Sequence, residues 1–271
     1  MDARIVAMWS GPRNVSTALM YSFARRRDAE VLDEPYYAAW LAAAGEAHPM
    51  RDAILAAGPV APEAVARRIL AGRKPVFYQK HMAHHMLADF DLSTWFGLAS
   101  HAFLIRPPEA VLASYTAKYE EVSLDLVGYP QQAALFDRAA DRAGAAPPVI
   151  RGDDIRRAPE PALRALTAAL GLDFDPAMLS WPAGPKPFDG VWAPHWYDRV
   201  HASTGFAPPE TAPPRPLPAA LARIADAARK MTIDDLAEAQ RWRAELYDRM
   251  AALLDEFDCF VTPTVGVPPF A

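Results

Sequence analysis

The sequence holds one cysteine, Cys259, in 271 residues. A lone thiol excludes a disulfide framework and a cysteine-built zinc site, and suits a reducing compartment. No apolar run approaches the roughly 20 residues a bilayer-spanning helix needs. The opening MDARIVAMWSGPRN lacks the basic, then apolar, then small order of a secretory signal. These absences set the expectation of a cytoplasmic protein with no membrane partner. Positive charge is also in deficit, with 28 lysines and arginines against 33 aspartates and glutamates. The net charge of −5 argues against a nucleic-acid surface. Internal repeats are lacking too.

What is present is an apolar half of the chain, enough for a sizeable core, and an uneven spread of basic residues. Arg13, Arg25, Arg26, Arg27, Lys80 and Arg106 all fall in the first two-fifths. A basic pocket in an acidic protein fits a small polyanion. Arg25 to Arg27 are set apart as solvated charges late on a helix, where the dipole favours cations.

Hydrophobic patterning predicts strands over 5–8, 30–33, 75–80, 102–105 and 149–150. Helices are predicted over 15–26, 36–44, 51–70 with a break at Gly58-Pro59, 107–119, 130–143 and 160–170. This alternation implies an α/β fold, a three-layer sandwich with a mostly parallel sheet. Ligands bind such sheets at the carboxyl ends of the strands. Arg13, Glu34, His81, Arg106 and Asp153 each follow a predicted strand. From 181 to 218 the chain turns proline-rich, with Trp192, Trp196, Tyr197 and Phe206 and little periodicity. That is too long for an idle connection and reads as a lid or wrap. Helices over 219–230 and 233–257 follow.

Three constellations carry chemistry. SGPRNVSTAL, Ser10 to Leu19, is a strand–loop–helix junction. Its helix N-terminus, the Ser16 and Thr17 hydroxyls and Arg13 make an anion site. A plain N-cap by Asn14 or Ser16 is the structural alternative. No Gly-Lys-Ser/Thr is present, so this is not a Walker A loop and a kinase is disfavoured. The second is FLIRPPEAVLASY, with Arg106 at a strand end and Ser114 eight residues on; a planar guanidinium suits phosphate. The third is YQKHMAHH, in which His81 has the right chemistry for a general base. Its histidines span a strand-to-helix change and lack a cysteine or paired carboxylate, so no metal site is expected. His84 and His85 are expected at a pocket mouth.

The first loop resembles that of the 3′-phosphoadenylyl-sulfate (PAPS)-dependent sulfotransferases, especially the bacterial branch reading roughly Gly-Pro-Arg-Ser-Gly-Thr-Thr. Arg106 with Ser114, the RGDDI segment from Arg151, and Gly184-Pro185-Lys186-Pro187 with Trp192 beyond match the family in order. The resemblance runs from about residue 4 to 206. It implies PAPS as donor and no metal, with a sulfuryl group moved to a hydroxyl or amine of a small-molecule acceptor. It implies that Arg13, Asn14, Ser16 and Thr17 hold the 5′ side of the donor, and Arg106, Ser114 and Lys186 its 3′-phosphate. His81 takes the family's base position and is preferred to Glu34, since some relatives use a carboxylate after the second strand. Lys80 falls one place from the family's lysine. Asn14-Val15 departs from Ser-Gly, and because valine resists a left-handed backbone, a differently shaped loop is expected.

Residues 231–271 resemble instead the carboxyl-terminal end of amidase-signature proteins, without the Ser-Ser-Lys core that catalyses there. The expected organisation is a sulfotransferase-like domain over 1–230 with a helical extension over 231–271. The rival function is a non-catalytic nucleotide-binding or assembly protein on the same fold. Trp9, Tyr36, Tyr37, Trp40, Trp192 and Trp196 hint at an apolar or ring-bearing acceptor.

Overall fold

The computed structural model describes residues 3–45, 48–116 and 124–209, all within a compact unit that ends at Arg215. The helices expected over 219–230 and 233–257, and the whole 231–271 extension, lie outside the described residues. So does the end of the helix expected to reach 119.

Five strands form one sheet: β1 (Arg4–Ser10), β2 (Ala29–Asp33), β3 (Val76–Met82), β4 (Ala99–Ile105) and β5 (Val149–Arg151). All pairings are parallel, in the order β2-β3-β1-β4-β5. The predicted strands are all present, most of them longer by one to three residues at an end. Helices α1 (Ser16–Ala24), α2 (Tyr37–Ala44), α3 (Arg51–Ala57) and α4 (Pro62–Ile69) precede β3. The break at Gly58-Pro59 therefore separates two helices, as its composition predicts. Then come α5 (Pro108–Thr116), α6 (Leu124–Val127), α7 (Tyr129–Ala143), α8 (Gly152–Arg157) and α9 (Pro159–Ala169).

The central strands are buried on both faces; β1 reads accordingly as a near-continuous apolar run, whereas β3 is buried throughout although it carries Gln79, Lys80 and His81. Period-two alternation divides their side chains between two cores. On one face Ala7, Trp9, Phe77 and Phe103 pack with Val65 and Ile69 of α4, Leu135 of α7, and Trp95. On the other, Val6, Met8, Tyr78 and Leu104 pack with Leu19, Met20 and Phe23 of α1 and Leu163 and Leu166 of α9. Each such Leu or Phe, fully buried, contributes ~1.5–3 kcal/mol. The result is the three-layer sandwich.

Topology fixes where a ligand can enter. From β1 the chain leaves through α1 toward β2; from β4 it leaves the opposite way, toward β5. Such a switch point opens a crevice between the carboxyl ends of the two strands. The late segment, described from 181 to 209, includes α10 (Ala193–Trp196) and α11 (Asp198–His201). It is tied down by the Trp181 N–H donating to Thr204 O at 3.0 Å and by Trp181 edge-on to Phe206 at 5.1 Å. Among the described residues no helix is long and apolar enough to cross a membrane.

One charge expectation needs correction. Arg25 and Arg27 are exposed, but Arg26 is only 5% exposed. Its guanidinium donates to both Asp28 oxygens at 2.9 and 2.8 Å and to Asp173 O at 2.6 Å. It closes the end of α1 instead of facing solvent.

Candidate active site

At the carboxyl end of β1 the backbone is strained. Arg13 and Val15 both sit at φ 63, the left-handed region that a β-branched residue rarely adopts. The expectation that Val15 would avoid it, and so reshape the loop, is corrected: Val15 takes the conformation itself. Space is made by Gly152, where an added Cβ would lie 2.6 Å from Val15 Cγ2 and 3.2 Å from Asn14 O. Gly11 plays the same part beneath the loop, since a Cβ there would meet Val127 O at 2.5 Å.

Strain of this kind gathers at functional sites, and here it delivers an open helix end. No side chain caps α1, and its first turn holds no acid. The plain N-cap alternative is thereby excluded: Asn14 Nδ2 turns back to Gly11 O at 2.9 Å and Pro12 O at 3.2 Å. The buried Asn14 Oδ1 has no hydrogen-bond partner. The first N–H groups of α1 carry a partial positive charge suited to an anion, beside the Ser16 and Thr17 hydroxyls.

Across the crevice stand Arg106, just past β4, and Ser114 on α5. Arg13 Nε donates to Ser114 Oγ at 3.0 Å, and Arg106 Nη1 donates to Arg13 O at 3.2 Å. Arg106 Nε also donates to Asp153 Oδ1 at 3.0 Å, so one carboxylate already faces this guanidinium. Residues some 100 positions apart in sequence are thus brought together at the switch point, and all are partly buried.

A second constellation lies past β2 and β3. Lys80 Nζ, with the residue 1% exposed, donates to Asp33 Oδ1 at 3.0 Å, Glu34 Oε1 at 2.6 Å and the Tyr197 hydroxyl at 2.6 Å. Glu34 is 8% exposed and has φ 38, a third left-handed residue after a strand. Burial raises the Glu34 pKa above the ordinary carboxylate value; Lys80 offsets part of this and the Asp33 charge adds to it. For Lys80, burial works against the charge, yet Asp33 and then Glu34 outweigh it and the pKa is raised.

His81 stands apart from both. Neighbouring residues of a strand face opposite ways, so with Lys80 on one face His81 is on the other. Its ring stacks on Trp95 at 5.2 Å and leans on Trp9 at 4.5 Å, and its Nε2 meets Gln79 Oε1 at 3.1 Å. Burial lowers its pKa to about 3. His81, expected to face the same cleft as Lys80, instead packs into the core on the opposite face. His85 is likewise no pocket-mouth residue, being 1% exposed and stacked on Tyr37 at 4.4 Å and Trp40 at 4.9 Å. Among the described residues no group of three or more His, Cys, Asp or Glu is placed to hold a metal ion.

Lys186 makes no hydrogen bond to Arg106 or Ser114 among the described residues. Its ammonium donates to the carbonyls of Gly184 and Ala183 and lies over the Tyr21 ring at 5.2 Å. Conversely, Asp33 and Tyr197 belong to the buried cluster; the sequence had marked Tyr197 only as an aromatic of the late segment and Asp33 not at all. Asp33 stands directly before Glu34, and only its register opposite Lys80 reveals it. Tyr197 arrives from a segment 163 residues beyond Glu34.

The family described as Sulfotransferase domain matches residues 3–230. Among curated proteins, the chain is 39% identical over 214 residues to branched-chain-amino-acid aminotransferase-like protein 1 of Arabidopsis thaliana. It is 38% identical over 211 residues to protein 2 of the same name and organism. These alignments take in 78% and 77% of this chain but 38% and 37% of the relatives, so the chain spans under two-fifths of their length. Among solved structures, the sulfotransferase domain from the curacin biosynthetic pathway is similar at 16% identity and TM-score 0.45, covering 84% of this chain and 98% of that one. A sulfotransferase from Alicyclobacillus acidocaldarius is similar at 14% identity and TM-score 0.46, covering 69% and 88%. The likeness of residues 231–271 to amidase-signature proteins finds no support in these comparisons.

Proposed function

The chain belongs to the sulfotransferase domain family, and on that premise we propose that it moves a sulfuryl group from PAPS to a hydroxyl or amine of a small acceptor. The observation that carries this reading is the convergence at the β1–β4 crevice. Just before the uncapped helix end, Arg13 donates to Ser114 and accepts from Arg106 through its carbonyl.

In this proposal the N–H groups and hydroxyls of Ser16 and Thr17 hold the 5′-phosphate, while Asn14 Nδ2 braces the loop on Gly11 O and Pro12 O. Arg106 and Ser114 hold the 3′-phosphate, Arg106 sharing its charge with Asp153. The donor, when bound, supplies a sulfuryl group already activated as an anhydride with phosphate. Glu34 takes the acceptor's proton in place of His81, since its carboxylate lies at the strand-end edge and its raised pKa suits a base. The electron pair so freed forms the bond to sulfur, and the pair of the breaking bond stays on the phosphate oxygen, where Arg13 meets the charge. Catalysis of this kind is mostly positioning and electrostatics. The family match, and the domain proposed to do this, end at residue 230.

The test uses PAPS labelled with radioactive sulfur and the small-molecule fraction of a cell extract as acceptor source. The proposal expects label to enter a small product with equal release of adenosine 3′,5′-bisphosphate. Tight bisphosphate binding with no transfer from any fraction would favour a non-catalytic role instead.

A further inference from the structure

Resting on Glu34 as the base, we propose that Lys80 and Tyr197 are positioning residues that act through it, fixing one carboxylate oxygen and leaving the other for the acceptor. The count of donors and acceptors carries this. An ammonium has three N–H groups, and three acceptors surround Lys80: Asp33 Oδ1, Glu34 Oε1 and the Tyr197 hydroxyl. The Tyr197 oxygen also accepts from Trp192 Nε1 at 3.0 Å. Both its lone pairs are then used, and its single proton goes to Asp33, whose oxygens lie at 2.7 and 2.9 Å. The 3.4 Å separation from Tyr197 to Glu34 Oε1 is left without a proton to fill it. Asp33 further accepts the Gly190 N–H at 3.1 Å.

Lys80 and Tyr197 are therefore satisfied in full. Glu34 Oε2 is the exception: no hydrogen bond among the described residues reaches it. The tripod on Lys80 pins Oε1 and so sets the direction of Oε2, while Asp33 and Tyr197 keep the ammonium in place.

Stability alone does not explain the cluster. Two carboxylates and one ammonium leave a net negative charge in a site at most 8% exposed, and buried ion pairs are often no more stable than apolar packing of equal volume. Glu34 is held at φ 38 besides. The late segment supplies Tyr197, Trp192 and Gly190 to this one place. The charged and titratable groups facing the cluster are Asp33 on β2, Lys80 and Tyr78 on β3, His84 and His85 after it, Tyr21 on α1, and Tyr197.

The test reads Glu34 directly and needs no acceptor. Full-length protein carrying carboxyl-labelled glutamate is titrated by carbon NMR, with Glu34→Gln identifying the resonance. Tyr197→Phe keeps the ring and removes the hydroxyl; Asp33 loses a donor, draws Lys80 away from Glu34, and the Glu34 midpoint moves up. In Lys80→Met it moves up further, by about one to three pH units, the effect of losing an opposite charge at this range. If Lys80→Met does not fold, Tyr197→Phe decides alone. An unchanged Glu34 midpoint in folded Tyr197→Phe would overturn the proposal. Melting shifts with adenosine 3′,5′-bisphosphate, run beside the titration, keep the two ideas apart. Their absence in the parent counts against the transfer reaction, whereas a normal shift with an unmoved Glu34 counts against the positioning role alone.

Discussion

The two constellations at the carboxyl edge of the sheet are built by opposite means. The β1–β4 crevice is made largely of backbone: an uncapped helix end, two left-handed residues, and glycines that let chains approach. The β2–β3 cluster is made of side chains: two carboxylates, an ammonium and a phenol, nearly dry. Backbone N–H groups bind an anion at any pH, whereas a buried carboxylate responds to every neighbouring charge. In the proposed reaction the first region therefore grips and the second reacts. Variants in one should leave the other's task intact.

The largest expected effect is on the reacting side. Glu34→Gln should lower turnover by ~10²–10⁴-fold, the worth of a general base, with bisphosphate affinity held within a factor of a few. His81→Gln, altering the core face of β3, should cost less than tenfold. If the two variants exchanged these results, the base would be His81 and the comparison would collapse.

On the gripping side, Arg106→Ala should weaken adenosine 3′,5′-bisphosphate by ~1.5–3 kcal/mol, the range for a charged hydrogen bond. Calorimetry with adenosine 5′-phosphosulfate, which lacks the 3′-phosphate, should show little change. Equal weakening of both ligands would make Arg106 a support of the loop instead of a phosphate reader.

A subtler test concerns the strained loop. Gly152→Ala places a methyl against Val15; it should destabilise the fold by ~1–3 kcal/mol, the usual cost of overpacking, and weaken bisphosphate binding. Adding Val15→Gly removes the opposing methyl and should restore most of the loss. Failure of the second change to rescue the first would show that Gly152 serves α8 and not the loop.

The smallest effect, per pH unit, is on folding. Burial depresses the His81 pKa from 6.5 to about 3 and lowers that of His85 well below its ordinary value. The unfolded chain thus binds more protons than the folded one in this window. Stability is present in full above pH ~6.5 and is lost progressively as pH falls below it. Denaturant midpoints of His81→Gln should fall less steeply below pH ~6.5 than those of the parent.

Legibility in the sequence divides along the same line. The strands, the parallel α/β class and the crevice residues Arg13, Asn14, Ser16, Thr17, Arg106 and Ser114 were readable because local patterns place them: strand, turn, helix start. The Val15 backbone was misjudged because its relief comes from Gly152, 137 residues away, which no local rule can see. Alternation along β3 puts Lys80 and His81 on opposite faces, so the two do not share one cleft. Asp33 and Tyr197 had no local signature, since they meet only through the β2–β3 register and the folding back of the late segment.

The central claim, that the β1–β4 crevice is a site for a 3′-phosphorylated nucleotide, is tested most directly by thermal unfolding with two nucleotides side by side. Adenosine 3′,5′-bisphosphate at about a hundred times its dissociation constant should stabilise the protein by ~2.7 kcal/mol, while ADP with magnesium leaves the melting temperature where it was. Equal shifts with both nucleotides, or none with the bisphosphate, would contradict the account.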